Sequence, residues 1–132
     1  MQQFTVSTSK HDQLVDITRQ VQACVSATGL QAGSVVVFIP HTTCAVTINE
    51  NADPDVQRDF IYAINKAIPW EDGYHHCEGN SAAHLKASLT GFSQTILVEG
   101  GQLVLGTWQG IYLVEYDGPR TRKVLVQVHA AA

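Results

Sequence analysis

The sequence predicts an α+β fold with mainly antiparallel sheet, and three observations lead to this class. Strand patterns outnumber helix patterns, hairpin turns dominate the second half of the chain, and strands do not alternate regularly with helices. The length of 132 residues is near the usual size of one domain, so we expect a single domain over residues 1–132. A composition with 45% hydrophobic and 15% charged residues is typical of a folded chain rather than a disordered one.

The first half of the chain carries two strand patterns and two helix patterns. Alternation over residues 3–7 predicts a half-buried strand. Helical spacing between Asp16, a candidate N-cap, and Gly29, a candidate stop, predicts the first helix. The β-branched and aromatic run 35–39 predicts a strand covered on both faces. Asp53-Pro54 combines an N-cap acid with a proline at the first helical position and predicts the start of the second helix.

Residues 41–49 alternate strictly, which predicts a further strand. One parity holds a polar stripe, and the other holds side chains that we expect to pack inward. The stripe is His41, Thr43, Ala45, Thr47 and Asn49, and the inward set is Thr42, Cys44, Val46 and Ile48.

The second half begins with a polar loop over 70–79 and a short helix capped by Asn80 or Ser81. We expect Leu85 and Leu89 to form the buried side of this helix. Strands are then predicted over 95–98, 103–105, 108–116 and 121–128, with turns at Gly100-Gly101 and at Asp117-Gly118-Pro119.

Composition excludes several classes of function. A net charge of −4 argues against a nucleic-acid binder, and no apolar run approaches the length of a membrane span. The first residues lack the pattern of a secretory signal. Three cysteines without framework spacing indicate reduced thiols, with a single disulfide as the alternative, so we expect a cytoplasmic protein.

Histidines carry the strongest hint of chemistry. His11 lies in a polar stretch and His129 lies on the exposed parity of the last strand, so both are best explained as solvated residues. His41, His76 and His84 fall on a strand, a loop and a helix. Imidazole is the commonest metal ligand near neutral pH, and three such ligands suit a catalytic zinc site. We therefore predict a divalent metal ion here, zinc by preference and magnesium as the alternative. The spacing alone leaves open that His84 packs locally and that His76 is a hydrogen-bonding loop residue.

Two carboxylates near these histidines are candidates for proton transfer. Glu78 could orient a metal ligand or act as general base, and Glu50 is the alternative base. Cys44 lies on the opposite strand face from His41, so it is not preferred as a fourth ligand. The basic residues Arg120, Arg122 and Lys123 follow a turn, where they form either a phosphate site or a solvated hairpin end.

Three separated motifs resemble signatures of the YjbQ family, whose members are often described as secondary thiamine-phosphate synthases. The first is His41-Thr42-Thr43-Cys44 through Asn51, followed by Asp53-Pro54. The second runs from His76 through Glu78-Gly79-Asn80 to His84-Leu85-Lys86-Ala87-Ser88. The third is Gly106-Thr107-Trp108-Gln109-Gly110-Ile111, followed by Glu115 and Gly118-Pro119-Arg120.

The resemblance implies more than the residue patterns do. It implies a sandwich of two sheets with flanking helices, a homotrimer, and a pocket in which His41, His76 and His84 hold a metal ion. The implied reaction joins a pyrimidine pyrophosphate to a thiazole phosphate. Arg120, from the same or a neighbouring subunit, would then hold a phosphate, and Asn49, Thr107 and Gln109 would add neutral hydrogen bonds. Trp108 is the remaining residue of the predicted substrate site.

Two functional hypotheses follow. The first is a metal-dependent enzyme that acts on a small phosphorylated metabolite. The second is a non-catalytic trimer that binds a metal or small ligand in a regulatory or scaffolding role. An enzyme needs an open metal position beside a carboxylate such as Glu78 or Glu50, whereas a structural site is closed by four protein ligands.

Overall fold

The computed structural model describes residues 1–132 and confirms the α+β class. Eight strands and three helices follow one another along the chain. The elements are β1 (Gln2–Ser7), β2 (Gln13–Asp16), α1 (Thr18–Thr28), β3 (Ala32–Phe38), β4 (Cys44–Glu50), α2 (Pro54–Ala67), α3 (Ser81–Thr90), β5 (Ser93–Glu99), β6 (Gln102–Leu103), β7 (Gln109–Glu115) and β8 (Thr121–Ala130).

The strands form two antiparallel sheets. The larger has the order β1-β8-β3-β5-β6, and the smaller has the order β2-β7-β4. Strand β2, which the sequence patterns did not reveal, is only four residues long. No helix is long and apolar enough to cross a membrane.

The main core lies between the two sheets and is closed by α1. Alternate residues of β3 and β8, such as Val35 and Val124, meet Val46 of β4 and Leu113 of β7 there. Only one face of β3 is buried, since Val35 and Val37 are enclosed while Val36 is half-buried, so the prediction of a strand covered on both faces was wrong.

A second, smaller core covers the other face of the three-stranded sheet. Ala45 of β4 and Tyr116 meet Ala83 and Ala87 of α3, and Phe60 of α2 packs against them. The odd-numbered residues of β4 are therefore not an exposed polar stripe, because α2 and α3 cover that face. Residues 41–43 precede β4 as a loop instead of extending it.

Helix α3 buries a different side from the one predicted. Leu85 and Leu89 are 45% and 76% exposed, whereas Lys86 is fully buried along with alanines of the same helix. Small side chains let the helix approach β4 closely, and the close approach leaves the leucines outside. Amphipathic spacing alone cannot identify this side, because it ranks leucine above alanine.

Helix α2 begins as predicted. The Asp53 side chain accepts a hydrogen bond from the backbone N–H of Asp55, and Pro54 occupies the first turn. Helix α1 ends at Gly29, which has the left-handed conformation that glycine adopts without steric cost. Its start is one residue later than expected, since Asp16 ends β2 and accepts from the backbone N–H of Thr18.

Candidate functional site

A polar pocket of about 370 Å³ lies where four segments of the chain meet. These segments are the loop between β3 and β4, the loop before α3, the first turn of α3, and the start of β8 with its preceding turn. The residues that line the pocket are Pro40, His41, Thr42, Thr43, Glu78, Asn80, His84, Arg120 and Arg122. Four of the residues predicted for the site, His41, Glu78, His84 and Arg120, are therefore brought together.

His41 takes its position from the end of a strand. Strand β3 stops at Phe38, which pairs with Leu125, and Pro40 carries the chain away from β8. The His41 side chain then accepts, through Nε2, a hydrogen bond of 2.9 Å from the backbone N–H of Lys123. His41 thus provides an acceptor for a backbone N–H of β8 that lies beyond the end of the pairing with β3.

The protonation of His41 follows from its surroundings. Burial lowers the pKa of this imidazole below its ordinary value, and the positive charge of Arg122 adds to the effect. The ring is therefore neutral at pH 7. Because Nε2 accepts a hydrogen bond, the proton of the neutral ring lies on Nδ1.

His84 and His76 lie close to each other near the start of α3. Asn80 is the N-cap residue, and His84 follows one turn later on the same side of the helix. The ring centroids of His76 and His84 are 5.4 Å apart, in an edge-to-face arrangement. His76 lines a neighbouring depression with Trp70 and other loop residues instead of the main pocket.

The three histidines predicted as metal ligands differ in their arrangement. Two imidazoles bound to one zinc ion have centroids about 5–6 Å apart, and the rings of His76 and His84 have a separation in this range. His41 does not fit as a third ligand in this arrangement, since its free lone pair is engaged by Lys123. No group of three or more His, Cys, Asp or Glu side chains is arranged to hold a metal ion.

Glu78 stands at the edge of this group. Its carboxylate Oε2 is 3.8 Å from His76 Nε2, and its side chain is 75% exposed. That distance exceeds a hydrogen bond, so the carboxylate is near a candidate ligand without being fixed to it.

Arg122 is a site residue whose position the sequence did not predict. It reaches from β8 to Glu115 on β7, so this ion pair joins the two sheets beneath the pocket. Both side chains are almost completely buried. Thr43 accepts from the guanidinium through Oγ1 at 2.8 Å, and Thr8 donates to Glu115 at 2.8 Å.

Arg120 lines the same pocket, but its side chain is hydrogen-bonded to Asp117. Its Nε and Nη2 donate to the backbone carbonyl and the carboxylate of Asp117 at 2.8 and 3.0 Å. Asp117 also accepts from Asn80 Nδ2 at 3.0 Å. Gly118 allows the turn between β7 and β8 to form here, because a Cβ at that position would lie 2.3 Å from the Lys10 carbonyl oxygen.

The other predicted site residues lie at the far end of the three-stranded sheet. Strand β4 runs from the pocket to Glu50, a length of about 20 Å. Glu50 pairs there with Gln109 of β7. Within one chain, none of these residues lines the pocket: Asn49, Glu50, Thr107, Trp108 and Gln109.

The cysteines are free, and two of them are buried. Burial raises the pKa of the Cys44 thiol to about 12, and the negative charge of Glu115 adds to the effect. Cys44 faces the main core, as the strand alternation predicted, so its thiol packs away from the pocket.

Known proteins that resemble this chain match it over nearly its whole length. A family model described as "UPF0047 protein YjbQ-like" matches residues 2–131. The UPF0047 protein YugU of Bacillus subtilis is 49% identical over 124 residues, which cover 93% of this chain and 94% of the relative. A UPF0047 protein of Methanocaldococcus jannaschii is 46% identical over 125 residues, covering 95% and 91%.

Solved structures agree closely with this fold. A YjbQ/UPF0047 protein of Clostridium acetobutylicum superposes with a TM-score of 0.96 at 53% identity, covering 98% of this chain and all of the other. A YbjQ-like protein of Sulfolobus solfataricus gives a TM-score of 0.94 at 34% identity, covering 98% and 96%.

Proposed function

The chain belongs to the YjbQ-like UPF0047 family, and from this premise we propose that it is a metal-dependent enzyme acting on a small phosphorylated metabolite. The specific reaction proposed is a weak thiamine-phosphate synthase activity. The observation that carries the proposal is the polar pocket, which combines two imidazoles, a carboxylate and two guanidinium groups. These groups suit the binding and displacement of phosphate.

The proposed metal ligands are His76 and His84, with His41 as a third once its ring leaves the Lys123 amide. A divalent ion held there, zinc by preference and magnesium as the alternative, would act as a Lewis acid on a phosphate oxygen. Glu78 is the proposed general base, because it is near the histidines and free to move. Glu50 is the less favoured base, since it lies at the far end of β4.

Assembly is the second part of the proposal. We propose a homotrimer located in the cytoplasm. Large apolar side chains that remain exposed on the single chain support association, and the family resemblance supplies the number three. They include Phe38, Leu85, Leu89, Leu97 and Trp108. A trimer also offers a way for Asn49, Thr107, Trp108 and Gln109 of one subunit to approach the pocket of another. Light scattering should give three times the chain mass of 14.4 kDa, and a monomer at micromolar concentration would refute this part.

The alternative function is a non-catalytic trimer that binds a metal or small ligand in a regulatory or scaffolding role. It is favoured by the engagement of His41 with Lys123 and by the weak attachment of Glu78. An arrangement without a fixed base and without three ready ligands suits binding better than turnover.

A complementation experiment distinguishes these functions. A strain that lacks its main thiamine-phosphate synthase would receive either the wild-type chain or His84→Ala. Rescue by the wild type alone supports the metal-dependent enzyme. Rescue by both removes the metal from the mechanism, and rescue by neither favours the binding protein.

A further inference from the structure

We propose that Arg122, rather than the more exposed Arg120, is the residue that binds the oxyanion of a ligand in the polar pocket. The inference rests on the proposed function in so far as that function places a phosphate there. It goes further by identifying a buried, prearranged guanidinium as the anchor.

The guanidinium of Arg122 is held on two of its three nitrogens. Nε donates to the Glu115 carboxylate at 2.9 and 3.1 Å. Nη2 donates to the same carboxylate and to Thr43 Oγ1 at 2.8 Å. The residue is 2% exposed, so its plane and position are fixed by the surrounding structure.

The third nitrogen has no protein partner. Nη1 makes no hydrogen bond within the chain, whereas the other two guanidinium nitrogens, Nε and Nη2, both do. Asn80 Oδ1 is the only side-chain nitrogen or oxygen atom that is fully enclosed and lacks a hydrogen-bond partner. Nη1 of Arg122 is therefore not fully enclosed. Since Arg122 lines the pocket, the small accessible part of its side chain opens there. Nη1 thus offers a ligand a donor that no protein group uses.

Other donors surround the same space. His41 carries its proton on Nδ1, and the Thr43 hydroxyl can donate because its oxygen already accepts from Arg122. The N-terminus of α3 begins at the pocket without a side-chain cap, which adds the positive end of a ten-residue helix. The combination matches an oxyanion with several acceptor oxygens.

The net charge of the pocket does not explain such binding. Glu115 neutralises Arg122, Asp117 neutralises Arg120, and Glu78 adds a negative charge at the edge. Affinity must therefore come from directed hydrogen bonds of a charged donor, which require little rearrangement.

Arg120 lacks this arrangement. Its Nη1 is also without a partner, but its side chain is 51% exposed and pairs with Asp117 at the surface. A hydrated arginine must lose bound water and side-chain freedom when it takes up a ligand, so its contribution is small.

The test is calorimetric titration of the full-length protein with inorganic phosphate at constant ionic strength. Arg122→Lys and Arg120→Lys form a matched pair, because each keeps its charge and loses the planar donor fork. We expect Arg122→Lys to bind phosphate at least about tenfold more weakly and Arg120→Lys to stay within about threefold of the wild type. The reverse order, or an unchanged Arg122→Lys, overturns the inference while leaving the proposed function intact.

A measurement on the wild type covers the case in which Arg122→Lys does not fold. With ¹⁵N-labelled arginine, the Nε–H signal of Arg122 is identifiable by slow exchange, because this proton is buried against Glu115. Phosphate should shift this signal by more than the three other arginine signals. A shift confined to Arg120 overturns the inference, and a complete lack of phosphate binding overturns both the inference and the phosphate part of the proposed function.

Discussion

His41 Nε2 and the backbone N–H of Lys123 are joined by a hydrogen bond of 2.9 Å, which ties the loop after β3 to strand β8. His41→Ala should lower the free energy of unfolding by about 1 kcal/mol, because it leaves this N–H without a protein acceptor. Urea denaturation measures the change. His129→Ala, an exposed histidine on the same strand, is the control and should have no effect. Equal stability of both variants would contradict the structural role of the bond.

Zinc affinity should depend unequally on the three histidines. His76→Ala and His84→Ala should each weaken zinc binding by at least about tenfold, because we propose both as ligands and their ring centroids are only 5.4 Å apart. His41→Ala should have a smaller effect, since its nitrogen is engaged elsewhere. Isothermal titration of metal-free protein measures these affinities. If His76→Ala and His84→Ala bind zinc like the wild type, the metal site is not where we propose it.

The ion pair between Arg122 and Glu115 should be strongly non-additive. Arg122→Met or Glu115→Leu alone should cost about 3–5 kcal/mol of stability, because each leaves a buried charge without a partner. The double variant should cost much less than the sum of the two. Arg120→Ala removes a surface pair and should cost at most about 1 kcal/mol. Additive effects of the buried variants in urea denaturation would show that the pair is not coupled.

Lys86 should give the protein a pH-dependent stability. Burial lowers the pKa of its amine below 10.5, so the folded state binds a proton less readily than the unfolded state does. Below the lowered pKa, Lys86 is charged in both states, and the cost of burying that charge fully destabilises the folded state. The free energy of unfolding should rise as the pH increases from the lowered pKa towards 10.5.

Comparison with Lys86→Met isolates this effect. Over the same pH window, the free energy of unfolding of the wild type should rise relative to that of Lys86→Met. Tyr116, whose pKa burial raises to about 12, is present in both proteins, and its titration in the folded state lies above this window. A pH-independent difference would mean that Lys86 titrates normally.

Local patterns predicted the elements well where the signal is in the backbone. Asp53 and Pro54 mark a helix start through capping and a fixed φ angle, and Gly29 marks a helix end through its left-handed conformation. These effects act within a few residues of the chain, so the sequence alone contains them. The inward parity of Cys44, Val46 and Ile48 was predicted for the same reason.

The site was predicted less completely because it depends on distant segments. The place of Arg122 follows from pairing with Glu115 across two sheets, which no local spacing specifies. The separation of Glu50 from His41 follows from the length of β4, and the exposed leucines of α3 follow from its close packing. Tertiary contacts decided each of these outcomes.

Helix α2 has no fully buried residue and is attached mainly through Phe60 and Ile64. Such an element opens by local unfolding at a lower free energy than the sheets do. Its amide protons should therefore exchange with solvent well before those of β3, β7 and β8. Because Asn65 of this helix covers the Lys86 amine, an acylating reagent should modify Lys86 in proportion to the population in which α2 is open, without unfolding of the whole domain.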